Sequence, residues 1–286
     1  MEPLFWPRQG AQPIRNLRRK LPQGQIFWQE VGRGQTLIFL HGTWSDSGQW
    51  QPLLKKLGPS YHCLAPDLIG FGESARLKPA DYAITLQVEA LGELLTALRV
   101  GPVYLVAESL GAWVAARFAL QYPDRVRGLV LMSPEGVALA GPDRWRTYRR
   151  ALNPLVGLWL RLSWPLAKAT GRERQWLRTR HLRRQLLKHQ AACKLLFKRK
   201  KSAIAAEQLQ PEDRIQSPIL LIQGESASPD TQALNQSYGP LTADQPQQET
   251  VPGCDDLAET QTEAVAASIT GFIGQWASQR AASSGQ

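Results

Sequence analysis

Residues 102–113 read PVYLVAESLGAW. Val103 to Ala107 is an unbroken apolar run, which predicts a strand buried on both faces. Ala112 to Leu120 carries a helix pattern, and only Glu108-Ser109-Leu110-Gly111 separates the two. A strand that becomes a helix across so few residues must fold back sharply at the serine. The turn tolerates only small residues two before and two after it, and those positions hold Ala107 and Gly111. Such a turn lifts the Ser109 hydroxyl above the sheet and sets it beside the unbonded N–H groups of a helix N-terminus. The pattern is a nucleophile elbow, G-x-S-x-G, with Ala107 in place of the first glycine. A bare match is common by chance. Its place between a buried strand and a helix gives it weight.

Working outward, the chain alternates strand and helix signals. Gln25–Val31, Thr36–Leu40, Tyr61–Ala65, Val126–Met132, Ile219–Ile222 and Glu249–Val251 read as strands. Helix patterns cover 49–57, 85–98, 231–237 and 264–276. This alternation predicts an α/β fold, a mostly parallel sheet with helices on both faces and a helical insertion. Sites in such sheets lie at the C-terminal strand ends. His41, Asp67, Ser109, Glu135 and Gly224 all fall there. The predicted core is 1–138 with 214–286. Residues 1–24, with the basic cluster Arg15, Arg18, Arg19 and Lys20, suit an arm and a first edge strand, and 278–286 reads as a flexible tail.

The 286 residues suffice for one large domain. The net charge of +10 is unevenly distributed. Residues 144–201 hold 18 Lys and Arg against one acid, Glu173, a net +17 that leaves −7 for the remainder. The basicity therefore belongs to one segment. Three cysteines, Cys63, Cys193 and Cys254, have no metal or redox spacing and predict reduced thiols in a cytosolic compartment. No secretory signal and no membrane-spanning run is visible.

The ordered set HGTWSDSGQW, PDLIGFGES, AESLGAW and VRGLVLMSP resembles the α/β-hydrolase family, in particular its cofactor-free serine esterases and lipases. The resemblance covers about residues 25–138 and 214–276. It implies Ser109 as nucleophile and an oxyanion hole from the Thr43 and Leu110 N–H groups. A serine at this place argues against dehalogenases and epoxide hydrolases, which use a carboxylate there. The resemblance also implies an acid three residues after Gly224, where this chain has Ala227; Asp230, Glu225 and Glu135 are the candidate acids. It implies a base histidine after the last strand, where Pro252-Gly253-Cys254-Asp255-Asp256 places Asp256. No histidine follows His189. Serine is a poor nucleophile without a base, and aspartate is a weak base at neutral pH. His41 and His62 read as structural. His181 and His189, eight apart in the insertion, make a poor metal pair; they read either as solvated residues or with one of them reaching Ser109 as a base.

The insertion, 139–213, is a basic, tryptophan-rich cap. Leu155–Ala167 is apolar, and Glu173–Lys201 reads as one long helix. Basic residues interleaved with Trp and Leu suit an anionic membrane face, so the chain is expected in the cytoplasm with peripheral attachment. No nucleic-acid motif is present, which argues against that partner. Oligomeric state is not legible. No cofactor or metal is implied. Two readings stand: a serine esterase or lipase for a lipid-like, amphiphilic ester with an unorthodox base, and a non-catalytic descendant binding a lipid, a pigment-like molecule or a partner protein.

Overall fold

The computed structural model describes residues 12–78, 82–139, 143 and 145–283. Eight strands form one sheet: β1 (Arg15–Leu21), β2 (Gly24–Val31), β3 (Thr36–Leu40), β4 (His62–Pro66), β5 (Val103–Glu108), β6 (Val126–Met132), β7 (Ile219–Gly224) and β8 (Gln247–Val251). Their spatial order is β1-β2-β4-β3-β5-β6-β7-β8. β1 pairs antiparallel with β2, and β2 with β4; β3 through β8 run parallel. The mostly parallel α/β sheet read from the sequence is therefore present. β5 lies in its middle and is buried to Ala107.

Between the strands lie α1 (Gln51–Leu57), α2 (Ile84–Ala97) and α3 (Leu110–Gln121). The helices α4 (Arg146–Leu152), α5 (Pro154–Leu162), α6 (Trp164–Ala169), α7 (Glu173–Lys188), α8 (Gln190–Ala192) and α9 (Lys201–Ala205) follow. The core then resumes with α10 (Pro229–Ser237), α11 (Leu257–Thr260) and α12 (Thr262–Ser283). Alternation along each strand decides which side chains face which helices. Leu37, Phe39, Tyr104, Val106, Val130 and Met132 share one cluster with Leu53 and Leu54 of α1 and Val265, Ile269 and Phe272 of α12. The intervening residues point to the other face, where α3 packs on β5 and α2 packs on α3. α3 is buried almost all round, so its apolar run needs no polar stripe. Each fully buried large side chain, such as Trp50 or Trp113, contributes roughly 2–3 kcal/mol.

The chain divides into two compact units. One is 1–76, 84–139 and 208–286; the other is 77–83 and 140–207. The residues just before 214 thus belong with the sheet. The structure adds detail to three further expectations. Of the basic arm, 1–11 lies outside the described residues, and Arg15–Leu21 is the sheet's edge strand. The predicted tail at 278–286 is helical as far as Ser283, with 284–286 outside the described residues. The long helix expected over 173–201 stops at Lys188, because His189 leaves helical geometry at φ −97, ψ 62. Packing overrides propensity here: Leu195, Leu196 and Phe197 turn into the interior, and Phe197 stacks on Tyr148 at 5.2 Å. All three cysteines are free thiols.

Gly111 holds the sheet and α3 together at closest approach. A Cβ there would stand 2.2 Å from the Leu40 carbonyl oxygen and 2.8 Å from that of His41. Backbone cannot yield as a side chain can, so Gly111→Ala should cost about 2–3 kcal/mol in denaturant unfolding. Gly101→Ala, with nothing within 4 Å, should stay within about 0.5 kcal/mol of the parent.

Candidate active site

Ser109 sits between β5 and α3 with φ 50, ψ −113. That is a positive φ for a residue with a Cβ, a strain of about 1–3 kcal/mol held by the surrounding structure. The holding bonds are visible. Ser109 N–H donates to the Met132 carbonyl at 3.0 Å, and its own carbonyl accepts from Glu135 N–H at 3.3 Å and Ala112 N–H at 3.1 Å. Leu110 opens α3, so its N–H has no acceptor within the helix.

The loop after β3 supplies Thr43, which is buried. Its hydroxyl, and not just the N–H anticipated from the sequence, reaches Ser109: Thr43 Oγ1 to Ser109 Oγ is 3.1 Å. On the other side, Glu135 Oε1 lies 3.5 Å from Ser109 Oγ, longer than a strong O–H···O bond. Tyr238 donates its hydroxyl to the Glu135 carbonyl at 2.6 Å and fixes that backbone. Ser109, Thr43, Leu110 and Glu135 are thus brought together. Asp230 lies exposed in the first turn of α10, and Asp256 exposed at the start of α11. Among the described residues no hydrogen bond joins either to Ser109.

The two histidines of the sheet unit are spoken for. His41 is fully buried; its Nδ1 donates to the Gly42 carbonyl at 2.9 Å and its Nε2 accepts from Leu68 N–H at 3.0 Å. Burial holds its pKa below the ordinary histidine value, so it remains neutral. His62 Nε2 meets Glu30 at 3.0 Å, and its Nδ1 meets Thr36 at 3.3 Å. His181 lies on α7 and meets Gln185 at 3.3 Å; His189 caps that helix. Among the described residues, no cluster of three or more His, Cys, Asp or Glu forms a metal site.

Glu108 and Gln49 escaped sequence reading. Gln49 Oε1 accepts from Gly42 N–H at 3.0 Å, and Gln49 Nε2 donates to Glu108 Oε2 at 2.8 Å. One amide thereby ties the Thr43 loop to the residue before Ser109. The available signal was Glu108 itself, a carboxylate at the end of an otherwise apolar strand. Burial pushes its pKa up to about 7; Glu259, Asp256 and Asp255 push the same way, while the Gln49 bond opposes them.

Glu108 titrates near 4.5 when unfolded and about 7 when folded. Between those values the folded state holds more protons, so this group's contribution to stability is lost as pH rises through 7. Glu108→Gln keeps an acceptor for Gln49 and removes the titration. It should be about 1–2 kcal/mol more stable than the parent at pH 8, discounted for partial solvent access, and lose that advantage near pH 5. Thermal melts at both pH values check this.

A family model described as the alpha/beta hydrolase family matches residues 37–268. Over 107 residues the chain is 36% identical to an uncharacterized protein of Mycobacterium tuberculosis, a match covering 37% of this chain and 31% of that protein. It is 33% identical over 120 residues to the 2-hydroxy-6-oxo-2,4-heptadienoate hydrolase of Pseudomonas putida, covering 40% of this chain and 42% of that protein. The chain thus spans less than half the length of these curated relatives. Among solved structures, haloalkane dehalogenase DbeA from Bradyrhizobium elkani aligns with TM-score 0.68 and 23% identity, over 93% of this chain and 100% of that one. That likeness is one of fold.

Proposed function

The chain belongs to the alpha/beta hydrolase family, and on that premise we propose that it binds a carbonyl-bearing, lipid-like ligand at Ser109 without the turnover of a serine esterase. One observation carries this reading: Ser109 Oγ has Thr43 at 3.1 Å and Glu135 at 3.5 Å, and no imidazole of the sheet unit is available to it. The position where the family resemblance implies a base holds Asp256, an exposed carboxylate. Such a group has little affinity for the serine proton at neutral pH.

The remaining groups still suit a carbonyl. The N–H at the start of α3 and the Thr43 N–H are donors of the kind that hold a carbonyl oxygen. The neighbouring Trp44 is exposed and offers an apolar surface to an acyl chain. A serine at the elbow gives no carboxylate for displacing a halide, so the dehalogenase likeness does not extend to that chemistry. The loss of a base typically costs about four orders of magnitude, which separates a binding site from an enzyme.

A fluorophosphonate probe labels only an activated serine. The parent protein should label no faster than Ser109→Ala, while Asp256→His should gain labelling that disappears in the Ser109→Ala, Asp256→His double variant. Strong labelling of the parent, abolished by Ser109→Ala, would overturn the reading. It would make the chain a serine hydrolase whose base is then to be sought at His181, His189 and Glu135.

A further inference from the structure

The unit formed by 77–83 and 140–207 carries an apolar surface of its own. α5 turns its widest apolar face outward. Leu155, Leu158, Trp159 and Leu162 stand at i, i+3, i+4 and i+7 and are 72%, 54%, 52% and 72% exposed. Leu166 of α6 continues the row at 64%. On the opposite side of α5, Leu160 packs with Ala167 and Trp176. A helix of a globular unit normally does the reverse, burying its apolar stripe and showing water its polar side. Five large apolar side chains exposed in one row mark an interaction site.

Beside this ridge, α5 and α7 enclose a groove of about 820 Å³. α7 contributes Trp176, Arg180, Arg183, Arg184 and Lys188, which share one helix face, and α5 adds Arg161. Among the described residues, no acidic side chain lines the groove. Arg183 is anchored by donating to the carbonyls of Ala151 and Asn153, and Arg180 lies over the Trp176 ring at 5.2 Å. Like charges three and four apart repel modestly, a cost that anions against the row would relieve. Guanidinium groups match phosphate oxygens in pairs.

We propose that this unit docks on an anionic phospholipid membrane, with the α5–α6 ridge in the interface and headgroup phosphates along the cationic face of α7. A bilayer surface supplies both complements at once, apolar chains for the ridge and phosphates for the arginines. Nucleic acid would leave Leu155, Leu158 and Leu162 unmatched. A second copy meeting ridge to ridge would bring together two segments of net +17 each. Among the described residues no helix is long and apolar enough to cross a membrane, so attachment of this kind is to the surface.

Co-sedimentation with vesicles tests the proposal. The full chain should partition at least about 30-fold more strongly onto phosphatidylcholine mixed equally with phosphatidylglycerol than onto phosphatidylcholine alone, and salt should weaken the binding. Arg161→Glu with Arg184→Glu should lower the anionic-vesicle partition by about 30-fold or more. Leu155→Ser, Leu158→Ser and Leu162→Ser together should weaken it to a similar degree, with an unchanged thermal melt because all three sites are exposed. Equal binding of the parent to both vesicles, or to neither, would overturn the proposal. So would a parent dimer that the triple Ser variant dissolves without losing vesicle binding, since the ridge would then belong to a second copy.

Discussion

Everything at the candidate site depends on how closely α3 approaches the end of β3. Gly111 places its backbone against the Leu40 and His41 carbonyls, where no Cβ fits. With that contact made, the chain leaving β5 has no room for an ordinary turn, and Ser109 takes the strained φ of 50. The strain is compensated by bonds from Ser109 to β6 and to the loop that carries Glu135. The half-buried hydroxyl, the N–H of Leu110 and the nearby Thr43 follow from that one packing constraint.

A second set of bonds fixes the loops at the strand ends. Asp67 is buried and accepts from Ser47 N–H and Glu73 N–H, each at 2.7 Å. Gly72, at φ +47, has no room for a Cβ, which would lie 2.0 Å from the Asp67 carboxylate. His41 joins the same arrangement by bonding Leu68. These residues satisfy buried backbone groups at the strand ends, and that use removes His41 from acid–base work. Preservation of the scaffold therefore says little about turnover. The protonation chemistry must be judged from the groups around Ser109 Oγ.

The parallel sheet was legible because Thr36–Leu40, Val103–Ala107 and Val126–Met132 are apolar runs too short for helices. The elbow was legible because two small residues bracket Ser109 between opposite periodicities. The break at His189 was not, since no Pro or Gly marks it; it arises from Phe197 packing on Tyr148, a contact distant in sequence. A first edge strand within 1–24 was legible, though its charges, which an edge strand can carry on its open side, hid its bounds. Thr43 was found through its N–H, but its hydroxyl contact with Ser109 depends on loop conformation. Glu108 was passed over because its raised pKa comes first from burial, and then from acids more than a hundred residues away, Glu259, Asp256 and Asp255, neither of which shows in the local sequence.

The central claim is that Ser109 is held in a nucleophile's geometry with no imidazole of the sheet unit to take its proton. Its most direct test is the steady-state hydrolysis of a short-chain p-nitrophenyl ester by the parent protein and by Ser109→Ala, followed across neutral pH. The account predicts equal, slow rates for the two at every pH, because the serine contributes no chemistry of its own. A parent rate orders of magnitude above that of Ser109→Ala, rising as a carboxyl group ionises, would contradict it and make the chain a working serine hydrolase.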